Sequence, residues 1–378
     1  MTNRYAVRTI RLESGERLPL LILKETGIPL LEPTLYALTE LRAINRASAT
    51  IEQAARAVMV LLLFLDEAGI DLASRFKGGQ FLEISEIERL VAFCKVPLKE
   101  LQTPKPWSTS RELPVIKVIR GEGIRRRSPS QKKEVDPRTA SIRLFYIHEY
   151  LQWLVLSRVA GISVSNPFRL AIENVVRTSL NALRTRSPLA KFRNVGRREG
   201  LSEQTTELLL SLIDPGAIRS PWVNEHAKKR NCLAIKMLWS LGVRRGELLG
   251  IKISNVDFRK NEILIARRAD DPDDSRRTQP NAKTADRILP MSDGLACQIK
   301  DYILGPRRAI RSARQHEFLF VANGTGRPLS LIALNKVFVL LRNKFPGLTS
   351  TLSPHVLRHT WNDEFSAVMD KRKNAGRH

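Results

Sequence analysis

The sequence predicts a mainly α protein with a small antiparallel β-sheet, an α+β chain in two main domains. Apolar residues recur at helical spacing through most of its 378 residues. Just two β-like runs, Glu262 to Arg267 and Thr284 to Pro290, stand near enough in sequence to pair as a hairpin. The apolar period lapses between residues 181 and 200, where arginines and a lysine replace it and a linker is expected. With 43% apolar residues, the chain has material for at least two cores.

Charge narrows the partner. Lys and Arg number 63 against 38 Asp and Glu, a net +25. Such a field favours a polyanion, and nucleic acid is the usual one. An anionic membrane surface competes, but no lipidation motif or long basic amphipathic helix is present. The longest apolar run, Ala57 to Leu65, is too short to span a bilayer, and the arginines near the N-terminus break any signal-peptide pattern. Cys94, Cys232 and Cys297 are unclustered and read as reduced packing residues, which fits a cytoplasmic, nucleoid-associated protein.

Residues 1–48 have little sustained period and read as a loosely organised N-terminal arm. From Ala49 a buried helix is expected on Ile51, Ala54, Ala55, Val58, Leu61, Leu62 and Leu65, stopped by Gly69. A second helix is expected over Ser85 to Cys94, with Ser85 and Glu88 spaced as a capping box. Between Pro97 and Lys133 the chain is rich in Pro, Ser and cations, including Arg125, Arg126, Arg127, Lys132 and Lys133. That segment is either a solvated basic loop or a contact to a phosphate backbone. Asp136 and Pro137 form an N-cap and first-turn pair. The aromatics Phe145, Tyr146, Tyr150 and Trp153 behind them stand at core spacing rather than as a base-stacking platform.

Residues 181–200 retain Arg193, Arg197 and Arg198, and a basic linker there would let two domains close around a duplex. The second domain, 201–378, begins with helices at Glu203 to Ile213 and Lys228 to Leu241, the latter ended by Gly242. The hairpin follows, its long tip carrying Asp270, Asp271, Asp273 and Asp274 without the spaced glycine and terminal Glu of a calcium loop, so no metal is expected. Helices near Asp293 to Ile303 and Leu331 to Phe345 lead to Ser353-Pro354-His355-Val356-Leu357-Arg358-His359-Thr360-Trp361. Ser353 and Pro354 suit a helix start, which sets His355 and Arg358 one turn apart on one face. A forked cation beside an imidazole suits a phosphate whose oxygen is being protonated or deprotonated.

Three stretches, in order, carry a family resemblance. They are Gly242-Val243-Arg244-Arg245-Gly246-Glu247-Leu248-Leu249, Lys283-Thr284-Ala285-Asp286-Arg287-Ile288-Leu289-Pro290, and His355-Val356-Leu357-Arg358-His359-Thr360. Together they resemble the arginine, lysine and HxxR boxes of the tyrosine recombinases, the phage integrase family. Residues 49–180 are compatible with that family's helical core-binding domain. The resemblance implies DNA strand cutting and rejoining through a 3′-phosphotyrosine, without metal or nucleotide cofactor. It implies that Arg244 and Arg358 hold the scissile phosphate, that Lys283 protonates the leaving oxygen, and that His355 moves a proton or donates to the phosphate. Glu247 and His359 match positions that support the site.

The family's nucleophilic tyrosine follows the last box, whereas Tyr5, Tyr36, Tyr146, Tyr150 and Tyr302 all precede it. The expectation is therefore a C-terminally incomplete catalytic domain, inactive for cleavage alone. Full-length relatives assemble as a tetrameric synapse, and this chain without DNA is expected to be mostly monomeric. The alternative is a non-catalytic DNA-binding relative on the same fold, a regulator or decoy.

Overall fold

The computed structural model describes residues 4–103, 134–188, 200–214, 216, 220–280 and 285–375. The basic residues expected to meet DNA, Arg125, Arg126, Arg127, Lys132, Lys133, Arg193, Arg197 and Arg198, lie outside the described residues, as does Lys283. The chain divides into two units, residues 1–10 with 18–192, and residues 11–17 with 193–378.

The first unit is helical around one core. Residues 4–48 are not the loose arm expected of 1–48: β1 (Tyr5–Arg11) pairs with β2 (Arg17–Leu23), and α1 (Leu31–Tyr36) follows. The sequence hid β2 because its side chains are buried almost throughout, so its apolar run Leu18 to Leu23 shows no alternation. Next comes α2 (Ser48–Ala68), closed by Gly69 in the left-handed conformation at φ 65°. By length and composition α2 could cross a bilayer, but Ile51, Val58, Leu61 and Phe64 are buried in this unit's core.

Short α3 (Leu72–Lys77) leads to α4 (Ile84–Cys94). The capping box of α4 uses Glu83 and Glu86, not Ser85 and Glu88. Glu86 fits because its buried carboxylate also takes both guanidinium nitrogens of Arg75, at 2.6 and 2.8 Å, whereas Ser85 is exposed. Then come α5 (Leu98–Leu101), α6 (Pro137–Val159) and α7 (Pro167–Thr185). Asp136 caps α6 by accepting from the Arg138 backbone N–H at 2.8 Å. Tyr150 and Trp153 pack around Tyr36 with ring centroids 5.4 and 5.6 Å away, as core aromatics do, whereas Phe145 is exposed.

The second unit builds on α8 (Glu203–Ile213), α9 (Glu225–Leu241) and α10 (Arg245–Gly250). A three-stranded antiparallel sheet follows in the order β3 (Val256–Asp257), β4 (Glu262–Ile265), β5 (Arg287–Pro290). Ile263 pairs with both Val256 and Leu289, so the expected hairpin gains a third strand, too short at two residues to show a period. After α11 (Asp293–Tyr302) and α12 (Leu331–Lys344), α13 (Pro354–Ala375) closes the unit. Cys94 and Cys232 are buried, but Cys297 is exposed, a correction to its reading as a packing residue. It sits on the outer side of α11, with its Sγ 3.8 Å from Asp301.

The insert between β4 and β5 is held by cations. Lys252 Nζ reaches Asp271 at 3.0 Å and Asp273 at 2.9 Å, and Arg276 forks onto Asp274 with both contacts at 2.8 Å. Arg17, at 1% exposure, joins them: it donates to the carbonyls of Gly15 and Asp274, each at 2.5 Å, and of Arg276 at 3.2 Å. Arg11 donates to the Asp274 carbonyl as well, at 2.9 Å. Gly15 lies at φ 88°, and a Cβ there would come within 2.3 Å of the Asp270 carbonyl oxygen. Thus Gly15 and Arg17, distant in sequence from the insert, are part of the second unit's interior.

Also in that core, His226 Nε2 lies 3.3 Å from the Tyr302 hydroxyl, while its Nδ1 has no hydrogen-bond partner among the described residues. Burial, and secondarily Arg230, push its pKa down from 6.5 to about 4. The unfolded chain takes up this proton near pH 6.5 and the folded one does not, so stability is whole above pH 6.5 and falls as pH drops toward 4. We expect the wild type to lose about 1 kcal/mol more than His226→Phe between pH 7 and 5, after allowance for solvent screening. Urea titrations of both proteins at the two pH values measure the difference, and equal losses would refute it.

Candidate active site

The local sequence explains why the second unit gathers cations at one place. At the end of α9, Gly242 turns the chain with φ 58°, a conformation that favours glycine. A Cβ there would also lie 2.4 Å from the ring of Trp361, so the residue is doubly constrained. That ring is held by its own Nε1, which donates to the Ser240 carbonyl at 3.1 Å. Two residues on, Arg244 precedes α10, and its backbone N–H donates to Glu247 Oε2 at 2.9 Å. Its guanidinium donates to Glu247 Oε1 at 3.0 Å.

Glu247 has a fully buried side chain and carries a second cation: Arg287, at the start of β5, donates to Oε2 at 2.7 Å. Opposite, α13 starts at Pro354, and the Ser353 hydroxyl oxygen accepts from the Val356 N–H at 3.4 Å. Arg358, one turn in, donates to the carbonyl oxygen of Gly242. The helix start is also clasped by residues 200 and 201, whose N–H groups donate to Asp363 at 3.0 Å and to the hydroxyl of Thr360 at 2.8 Å.

Electrostatics ties these groups together. Burial lowers the pKa of Arg358 from its ordinary value; Arg244 and Arg287 add to the effect and Glu247 opposes it. Among the described residues, the guanidiniums of Arg244 and Arg287 hydrogen-bond the Glu247 carboxylate and that of Arg358 lies within electrostatic reach of them, so these four groups carry an excess of two positive charges. Such a cluster of forked donors is built for an oxyanion carrying more than one negative charge. On the exposed side of α13, His355 and His359 stand with their Nε2 atoms 3.3 Å apart.

The structure thus brings Arg244, Glu247 and Arg358 into one cluster and sets His355 and His359 on the helix that carries Arg358. Arg287 and Gly242 were missed by residue reasoning. Arg287 gave a signal: on a strand it shares the face of Leu289, and a cation on a half-buried face needs a partner. Gly242 acts through its backbone oxygen, for which side-chain chemistry gives no sign. None of the five tyrosines is exposed: Tyr5, Tyr36, Tyr150 and Tyr302 are buried and Tyr146 is half-buried. Burial pushes the Tyr5 and Tyr302 hydroxyls up to about 12 and raises the other three as well.

Residues 201–367 match the profile described as the phage integrase family. Among curated proteins, the chain is similar to tyrosine recombinase XerD of Halalkalibacterium halodurans, 24% identical over 144 residues, 38% of this chain and 43% of that protein. It is also similar to tyrosine recombinase XerC of Chlamydia muridarum, 26% identical over 161 residues, 42% of this chain and 44% of that protein. The match spans less than half the length of either relative. Among solved structures, the Tn1549 transposon integrase in complex with a circular intermediate DNA aligns at 19% identity and TM-score 0.38, covering 60% of this chain and 73% of that one. XerA recombinase aligns at 22% identity and TM-score 0.30, covering 56% and 66%.

Proposed function

Residues 201–367 belong to the phage integrase family of tyrosine recombinases, and from that premise we propose that this protein binds double-stranded DNA and clamps a scissile phosphodiester for strand cutting and rejoining. One observation carries the reading: the two-charge excess of Arg244, Arg287 and Arg358 over the buried Glu247. A phosphodiester carries one negative charge, and its pentacoordinate state two, so the excess complements the transition state more than the ground state. Glu247 fixes Arg244 through its backbone and its guanidinium, and the Gly242 carbonyl fixes Arg358. Preset donors of this kind need no reorganisation as charge develops. His355, exposed on the same helix turn as Arg358, exchanges a proton at the phosphate or donates to it, with His359 beside it as support. Lys283, on the run into β5, protonates the leaving 5′-oxygen.

In this reading the nucleophilic tyrosine is not among the described residues. The burial of Tyr5, Tyr36, Tyr150 and Tyr302 supports this, since a hydroxyl inside a core reaches no phosphate, and Tyr146 is half-buried in the first unit. The basic segments 125–133 and 193–198 add backbone contacts to the duplex, with residues 49–180 as the helical DNA-binding domain; of the expected linker 181–200, residues 181–185 are the last turn of α7. No cofactor is needed, and a tetrameric synapse forms when the complete protein meets its sites. The second reading, a DNA-binding relative that does not cut, is favoured by the same tyrosine burial.

Selection from a randomised duplex pool identifies the preferred site, and a nicked suicide duplex of that site then traps any phosphotyrosine. Residues 1–378 are expected to bind with strong salt dependence and to form no adduct. A version extended past His378 is expected to form one, and its failure to do so would sink the recombinase reading in favour of the second. In the extended protein, Arg358→Ala should reduce adduct formation by about 10²-fold or more while leaving duplex affinity within severalfold, because many other cations share the backbone contact. Equal losses of both would contradict the assigned role.

A further inference from the structure

The two imidazoles of α13 hold a geometry that phosphate chemistry does not require. His355 and His359 stand four residues apart on one helix, with ring centroids 4.4 Å apart, planes inclined by 59° and Nε2 atoms 3.3 Å apart. Four-residue spacing on a helix is the arrangement by which two imidazoles share a transition metal. A tetrahedral zinc with bonds of about 2.0–2.1 Å sets two nitrogen ligands about 3.3 Å apart, the edge of the tetrahedron. The same spacing serves a proton passed from one ring to the other. Exchange of that proton for a metal needs a small rotation of both rings, so that the lone pairs aim at a common point beside the line joining them. Both rings lie on the exposed side of the helix start, so an ion reaches them from solvent.

We propose that His355 and His359 form an open chelate for a divalent transition ion of the zinc class. The two Nε2 atoms are the protein ligands, and water completes the shell. Imidazole selects zinc, copper and nickel over magnesium and calcium, which prefer oxygen. The site requires both rings neutral, so metal entry releases the shared proton if one ring is charged. Arg358, on the same turn, repels the ion, and the site is therefore one of modest affinity whose occupancy follows metal availability. One consequence rests on the function proposed above: a metal on His355 takes the lone pair needed for proton exchange at the phosphate, so the ion acts as an inhibitor and not as a cofactor.

The test is calorimetric titration of the 378-residue protein with zinc, nickel and magnesium chlorides, in a Cys297→Ser background to remove the exposed thiol. One zinc step and one nickel step are expected, with none for magnesium. Both steps should be lost in His355→Gln and, separately, in His359→Gln, with unchanged far-ultraviolet circular dichroism and melting. Zinc uptake that persists in either single variant, or a magnesium step of equal size, would overturn the chelate. Duplex affinity of the same variants, measured in chelator-treated buffer, reports on the phosphate site separately. A lost zinc step upholds the metal site whether or not duplex affinity changes, so the metal site and the recombinase reading fail separately.

Discussion

Arg17→Met is expected to destabilise the C-terminal unit by roughly 3–5 kcal/mol, the range for removing one member of a buried charged network. The methionine nearly fills the volume but donates nothing, so the buried carbonyls of Gly15 and Arg276 lose their Arg17 donor and that of Asp274 keeps only Arg11. The insert that these carbonyls belong to is anchored further by Arg276, which donates to the Leu249 and Leu329 carbonyls at 2.9 Å and lies over the Phe318 ring. Loosening should therefore spread to α10 and to the chain around Leu329. Hydrogen exchange read by mass spectrometry is expected to accelerate over residues 266–280 and 245–250 while α2 and α6 keep their protection. Arg17→Lys should recover part of the loss, because one ammonium replaces a fork. Unchanged exchange over 266–280 in Arg17→Met would refute the role assigned to the network.

Gly242→Ala is expected to cost roughly 2–5 kcal/mol, from about 1–2 for a non-glycine residue in the left-handed conformation and about 1–3 for overpacking. The added methyl would meet the Trp361 ring at 2.4 Å, and that ring is pinned by Ser240 on one side and stacked on Phe365 at 5.1 Å on the other. Denaturant titration measures the total. The double variant Gly242→Ala, Trp361→Leu separates its parts, since the clash is relieved and the conformational cost remains. The same substitution displaces the carbonyl that seats Arg358, so in an extended, cleaving protein the rate should fall by more than the lost stability explains. Full additivity in the double variant would show that the ring contact carries none of the cost.

How much of this could be read from the residues differs by element. The helices α8, α9, α11, α12 and the start of α13 were legible because one face is apolar and the ends carry ordinary signals such as Ser202, Asn224, Ser292 and Ser330, each capping by side chain. The pairing of Arg244 with Glu247 follows from their spacing across a helix start. The hairpin of residues 5–23 was not legible, because β2 is buried along its length and the reason for Arg17 lies 257 residues downstream. An arginine at the head of an apolar run, next to Glu16, reads as an exposed strand end until its carbonyl partners are seen. Arg287 was half-legible: its strand and parity could be read, but that Glu247 would be buried beneath it could not.

The partnership of residues 11–17 with the chain around Asp274 bears on how this protein is made. The family match begins at residue 201, yet the unit that contains it is discontinuous in sequence and incomplete without a turn synthesised long before. At about 5–20 residues per second, the turn waits roughly 13–50 s after emerging before the insert exists to receive it. Through that interval Arg17 has no native partners, and closing so long a loop comes late because its entropy must be met before any contact rewards it. The C-terminal unit therefore reaches its native state only as the last third of the chain is completed. A fragment cut at the family boundary should refold slowly and incompletely until a peptide spanning residues 4–24 is supplied.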